Sequence, residues 1–163
     1  MHKKTLSVFV VFCISILCFG ASCSTSDAGK VSCLSERARQ TTIRWGDYDV
    51  KSGKMRAYQF SGSLKMSTVE RESFGEQPEI NDFDKIEGEV FCKWLEKTVS
   101  IFEKIQTLNA PGDEARYVEY STAKTTVRAV WNPKYQTYGS KEFRAFYDSL
   151  TALVPEKERR QNQ

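Results

Sequence analysis

Histidine is almost missing from this chain. Of 163 residues only His2 is a histidine, and it sits in an N-terminal leader that export would remove. The remainder offers no imidazole to activate a serine or cysteine nucleophile, and none to ligate zinc or copper. There is no Cys-x-x-Cys pair, no glycine-rich phosphate loop and no calcium-loop spacing. Acids do occur in close pairs: Glu70 with Glu72, Asp82 with Asp84, Glu87 with Glu89. Two carboxylates can drive acid–base chemistry when they converge on a cleft, but a solvated loop or helix face accounts for these. No catalytic residue, metal ligand or cofactor is therefore assigned. There is also no basic stripe or acidic tail, which argues against a nucleic-acid partner, and no repeat of short period.

The N-terminus is built differently from the rest. His2, Lys3 and Lys4 form a basic start, and Thr5 to Phe19 is uncharged and rich in Val, Phe, Ile and Leu. Small residues follow, completing the pattern of a secretory signal over residues 1–22. The uncharged run reaches Ser26, close to the ~20 residues of a membrane span. Its last part, from Gly20 to Ser26, is small and polar, which favours a cleaved leader over a retained anchor helix.

The segment Phe19-Gly20-Ala21-Ser22-Cys23 resembles the lipobox of bacterial lipoproteins. In that class the leader is cut just before the cysteine, whose thiol carries a diacylglycerol. Ser22 and Ala21 occupy the small positions, while Gly20 stands where leucine is usual. Cys13 and Cys18 follow the large Phe12 and Leu17 and do not fit. The resemblance implies lipid attachment at Cys23 and a membrane partner reached through that lipid, with Ser24 pointing to the outer membrane or its periplasmic face. Each buried CH₂ contributes ~0.8 kcal/mol, so two or more chains anchor firmly. The alternative is ordinary cleavage near Ser22, releasing a soluble periplasmic or secreted protein.

Removing the leader changes the charge. The whole chain carries 24 Lys+Arg against 21 Asp+Glu, a net +3; loss of Lys3 and Lys4 leaves a near-neutral protein. Residues 23–40 read as a flexible tether, 41–155 as a single domain and 156–163 as a charged C-terminal tail. Cys33 in the tether and Cys92 in the domain either pair in an oxidising compartment or remain two separate thiols.

Within the domain, Thr41–Val50 reads as a strand. Met55–Met66 alternates apolar and polar residues and reads as a second strand, which Gly62 can split in two. Thr68–Asn81 reads as a loop. Asp84–Asn109 carries a helical stripe of Ile86, Val90, Phe91, Trp94, Leu95, Phe102, Ile105 and Leu108, with Asp84 as its cap. Ala115–Ser121 and Lys124–Trp131 read as a hairpin. Ser140 opens a last helix whose stripe is Phe143, Phe146, Tyr147, Leu150, Leu153 and Val154. The expectation is an α+β fold: an antiparallel sheet of four to five strands with two amphipathic helices on one face, in the order β-β-(β)-α-β-β-α.

The candidate binding surface is the segment from Trp131 to Gly139, where Trp131, Tyr135 and Tyr138 flank Lys134. Tyrosine and tryptophan recur in binding hot spots because they combine contact area with a polar tip. Arg44/Trp45 with Asp47/Tyr48, and Arg116, Lys124 and Arg128 on an open sheet face, are further candidates; pairing of the arginines with Glu119 is the competing reading. The expected role is a non-enzymatic binding or accessory protein of the cell envelope, meeting an envelope protein or polymer. An envelope enzyme using paired carboxylates and a soluble inhibitor are the alternatives.

Overall fold

The computed structural model describes residues 33, 35, 38–105 and 108–160. All fall within one compact unit, Val31–Gln163. The leader over 1–22, Cys23, most of the tether and the end of the tail lie outside the described residues. Among the described residues, no helix is long and apolar enough to cross a membrane.

The architecture is α+β. Strands β1 (Thr42–Asp49), β2 (Met55–Ser61), β3 (Lys65–Arg71) and β4 (Glu79–Lys85) precede helix α1 (Gly88–Lys104). Strands β5 (Asn109–Ala110), β6 (Glu114–Ser121) and β7 (Thr126–Trp131) precede helices α2 (Ser140–Thr151) and α3 (Glu156–Arg160). All seven strands form one sheet in the order β4-β3-β2-β1-β6-β7-β5. Every pairing is antiparallel except that of β5 with β7.

The sheet is thus larger than four to five strands, and it is mixed. The segment expected as a loop over Thr68–Asn81 supplies the end of β3 and the start of β4. Edge strand β4 buries almost nothing and carries Glu79, Asp82, Asp84 and Lys85. Charge along an edge blocks pairing with other chains, and without a buried face the strand has no alternation to read. Asp84 is a β4 residue rather than a helix cap; α1 begins after Glu87, which makes no side-chain cap bond. The helix also stops earlier than Asn109. Leu108 is buried, and its carbonyl accepts the Val130 amide, drawing Asn109–Ala110 alongside β7 as the parallel edge. In the tail, Glu156–Arg160 is helical.

Register sorts the side chains into two clusters. Trp45 lies between Tyr58 on β2 and Val118 on β6, and Val118 faces Ala129 on β7. These residues join Ile43, Phe60 and Trp131 in a core completed by the helices. From α1 come Phe91 and Trp94; from α2 come Phe143, Phe146, Tyr147 and Leu150. The helices also touch each other: Trp94 meets Phe146 at 5.7 Å and Phe102 meets Phe143 at 5.1 Å between ring centroids. Amphipathic stripes at steps of three and four require this arrangement. The second cluster contains Met55, Ala57, Val69, Ala115, Tyr117 and Val130, all strand residues on the other side of the sheet.

Two features bind the segment before β1 to the domain. Cys33 and Cys92 form a disulfide, with their Cα atoms 5.6 Å apart. Cross-linking positions 59 residues apart contributes roughly 4 kcal/mol in the chain-entropy account. Ala38, in a 3-10 turn over Ala38–Gln40, is buried.

Candidate functional site

The segment after β7 separates into a buried anchor and a displayed loop. Alternation along β7 puts Trp131 on the helix side with Ala129, where it is 0% exposed. Its ring stacks 6.2 Å from Phe143 and meets Tyr147 edge-on at 5.9 Å. Trp131 therefore does not belong to a binding surface; the strand's period of two sends it into the core. Tyr135 and Tyr138 do the opposite, at 68% and 101% exposed. Lys134 is exposed beside them.

Backbone contacts hold that loop in place. The Arg144 guanidinium, one turn into α2, donates to the carbonyls of Asn132 at 2.6 Å, Pro133 at 2.9 Å and Tyr135. The Asn132 side-chain oxygen accepts the Lys134 amide at 2.8 Å. Ser140 closes the far end: its hydroxyl donates to the Thr137 carbonyl at 2.7 Å and accepts the Thr137 amide at 2.8 Å. Ser140 is thus the first residue of α2 rather than its cap, a place taken by Gly139 with φ 77°. Only glycine adopts that left-handed backbone without strain, and the turn leaves Tyr138 at the apex.

The loop sits where the two helices meet. A Cβ on Gly139 would lie 3.2 Å from Ile105 at the end of α1. Beside Tyr138 a cavity of about 540 Å³ is lined by Lys104, Ile105, Lys141 and Glu142 among others. It adjoins a groove of about 880 Å³ between α1 and α2, which shares Lys104, Ile105 and Glu142 and has Ile101 and Phe146 in its wall.

The other candidates are divided by the sheet. Trp45 enters the helix-side core and Asp47 shares its face, while Arg44 and Tyr48 face the opposite way. Asp47 accepts the Tyr147 hydroxyl at 2.8 Å and Arg116 Nε at 2.9 Å. Burial first, and the Asp47 charge second, push the Tyr147 phenol far above its ordinary pKa. Arg116 and Arg128 do not share a patch. Arg116 pairs with Asp47 and lies over the Tyr147 ring; Arg128 pairs with Glu119 on the other face and lies over Tyr117. Lys124 is in the β6–β7 turn.

Of the close acidic pairs, Glu70, Glu72 and Asp82 bind nearby cations. Glu70 meets Arg56 at 3.3 Å and Glu72 meets Lys54 at 2.7 Å. Asp82 meets Lys65 and the Ser67 hydroxyl, and the Lys65 hydrogen bond holds its carboxyl below the ordinary value. Glu87 and Glu89 are exposed at the start of α1. Among the described residues, no group of three His, Cys, Asp or Glu is placed to hold a metal.

Sequence reasoning missed Arg144 and the groove. A lone arginine on a helix carries no sign that its guanidinium will gather three carbonyls from a preceding loop. The chain matches no protein-family model and shows significant similarity to no curated protein.

Proposed function

We propose that this chain is an exported protein, anchored to the cell envelope by lipid on Cys23 in the manner of bacterial lipoproteins, whose domain works as a non-enzymatic binding or accessory module. The observation that carries the binding reading is the display of Tyr135 and Tyr138. Two tyrosines stand in solvent on a loop fixed by Arg144 and Ser140. Exposed rings on a pre-ordered backbone lose little conformational freedom when a partner covers them. Export is supported by the leader over residues 1–22 and by a disulfide, a bond that persists in oxidising compartments.

The binding reading is tested by capturing the envelope partner with the full chain and with Tyr135→Ala/Tyr138→Ala. The partner is lost from the double variant while its thermal unfolding stays unchanged; equal capture by both proteins rejects the loop as the contact. Anchoring is tested separately by intact mass of the protein recovered from membranes. A mature N-terminus at Cys23 without acyl chains rejects lipidation.

A further inference from the structure

We propose that the groove between α1 and α2 receives an acidic, amphipathic polypeptide segment of the partner, with Tyr138 closing one end. The inference rests on the binding reading above and names the chemistry of what is bound.

Charge is the first argument. Lys93, Lys97, Lys104 and Lys141 line the groove and its adjoining cavity, against the two acids Glu96 and Glu142. Among the described residues, none of these four lysines makes an ion pair. Lys97 lies instead over the Trp94 ring at 4.3 Å. Several other cations are matched, Lys51 with Asp113, Lys54 with Glu72, Lys65 with Asp82 and Arg116 with Asp47. Among the described residues, Lys85, Lys124 and Lys134 also make no ion pair, but they lie outside the groove. The groove and its adjoining cavity gather four such cations where an outside carboxylate can meet them.

Shape is the second argument. From Lys93 to Lys104 the helix advances ~16 Å, room for about three turns of another helix or a short extended segment. The wall between the lysines is apolar, with Ile101, Ile105 and Phe146 partly or fully recessed. An amphipathic segment lays its apolar face on such a wall and its acids against the rim. A membrane surface does not enter a cleft between two helices. A carbohydrate chain calls for aromatic platforms, and Phe146 is the one aromatic among the described residues that line the groove.

The test is selection of a random dodecapeptide library on the full chain as recovered from producing cells. Selected peptides should be rich in Asp and Glu, with apolar residues three and four apart. Lys93→Glu/Lys104→Glu, at two exposed positions that leave the fold intact, should weaken a selected peptide about ten-fold or more, in a salt-dependent way. A version of that peptide with its acids replaced by lysine should bind the charge-reversed protein in preference to the original. Binders without acidic enrichment, or binders indifferent to the reversal, overturn the inference. So does competition by phosphatidylglycerol vesicles or by a soluble polyanionic glycan in place of peptide, and so does a selection that yields nothing. Peptides lost from Tyr135→Ala/Tyr138→Ala but indifferent to the lysine reversal sink the groove and leave the loop reading standing. Peptides indifferent to both variants sink the two together.

Discussion

On the helix side of the sheet, water is excluded by bulk. Trp45, Phe60 and Trp131 meet Phe91, Phe143 and Leu150 in an aromatic layer supplied from both directions. On the other side the buried residues are smaller, and among the described residues no helix residue joins them. Ala57, Val69, Ala115 and Val130 surround Tyr117, beside a lattice of polar groups. Arg44 donates to Gln59 at 2.7 Å and lies 3.7 Å from Glu119; Arg128 also pairs with Glu119 and lies 4.9 Å above the Tyr117 ring. Gly46 fits between these strands because it has no side chain: a Cβ there would lie 2.2 Å from the Arg56 carbonyl oxygen. One sheet has therefore two kinds of cover, one dispersive and one electrostatic. The first is broken by removing volume, the second by removing a charge.

The largest effect is expected where volume is removed. Trp131→Ala should cost about 4 kcal/mol, because a fully buried indole leaves a cavity that its neighbours fill only in part. Urea unfolding should show a lower midpoint at unchanged slope. A loss under 1 kcal/mol would mean the helices collapse onto the gap, erasing the contrast between the faces.

Next comes Glu119→Ala. It leaves Arg44 and Arg128 without their shared acid, at a cost of about 2–3 kcal/mol, less than for a fully buried pair because Arg128 keeps access to water. Arg44→Met/Glu119→Leu/Arg128→Met should recover most of that loss by substituting apolar contact. If the triple variant is no better than the single one, the polar lattice is required in its own right.

A smaller change is expected for Tyr117→Phe. The ring stays buried and only the hydroxyl's bond to the Met55 sulfur, at 3.2 Å, is lost. The cost should be about 1 kcal/mol or less. A larger value would show that the hydroxyl orders the whole polar face.

The smallest effect belongs to neither face. Asp49 caps the turn into β2, accepting the Ser52 amide at 2.6 Å and the Lys51 amide at 3.0 Å. The Ser52 bond is the main cause holding its carboxyl below the ordinary 3.8. A carboxyl with a lowered folded pKa stabilises fully above its unfolded value and loses that contribution as pH falls through the folded one. The gap in melting temperature between wild type and Asp49→Asn should therefore be present at neutral pH and close below pH 3.8. A gap unchanged in acid would mean that the carboxylate charge contributes nothing to the turn.

These two covers also explain what the sequence made visible. The stripes of α1 and α2 follow from helical spacing, and β1, β2, β6 and β7 follow from alternation over a half-buried surface. Gly62 does mark a division: β2 ends at Ser61 and β3 begins at Lys65, with Leu64 at φ 62° in the turn. Edge strand β4 left no trace because it buries almost nothing, and β5 because two residues have no period. Polar cover hides from pattern reading for a related reason. Glu119, nearly buried, and Arg128 look like solvent-facing residues until register sets them side by side. In the candidate site, the tyrosines could be named from composition. Trp131 groups with them in sequence, because adjacency along the chain says nothing of which side of a strand a ring takes.

The Cys33–Cys92 bond changes how a mechanical load would travel. A pull from the N-terminal side would otherwise enter through Thr41 and Thr42, at the end of β1, a strand hydrogen-bonded on both edges near the middle of the sheet. With the bond in place the same pull reaches α1 at Cys92 first, and β1 is spared shear. Tension applied from that side is then borne by a helix seated on the aromatic layer, so reduction of the bond should lower the force at which the sheet parts in single-molecule stretching.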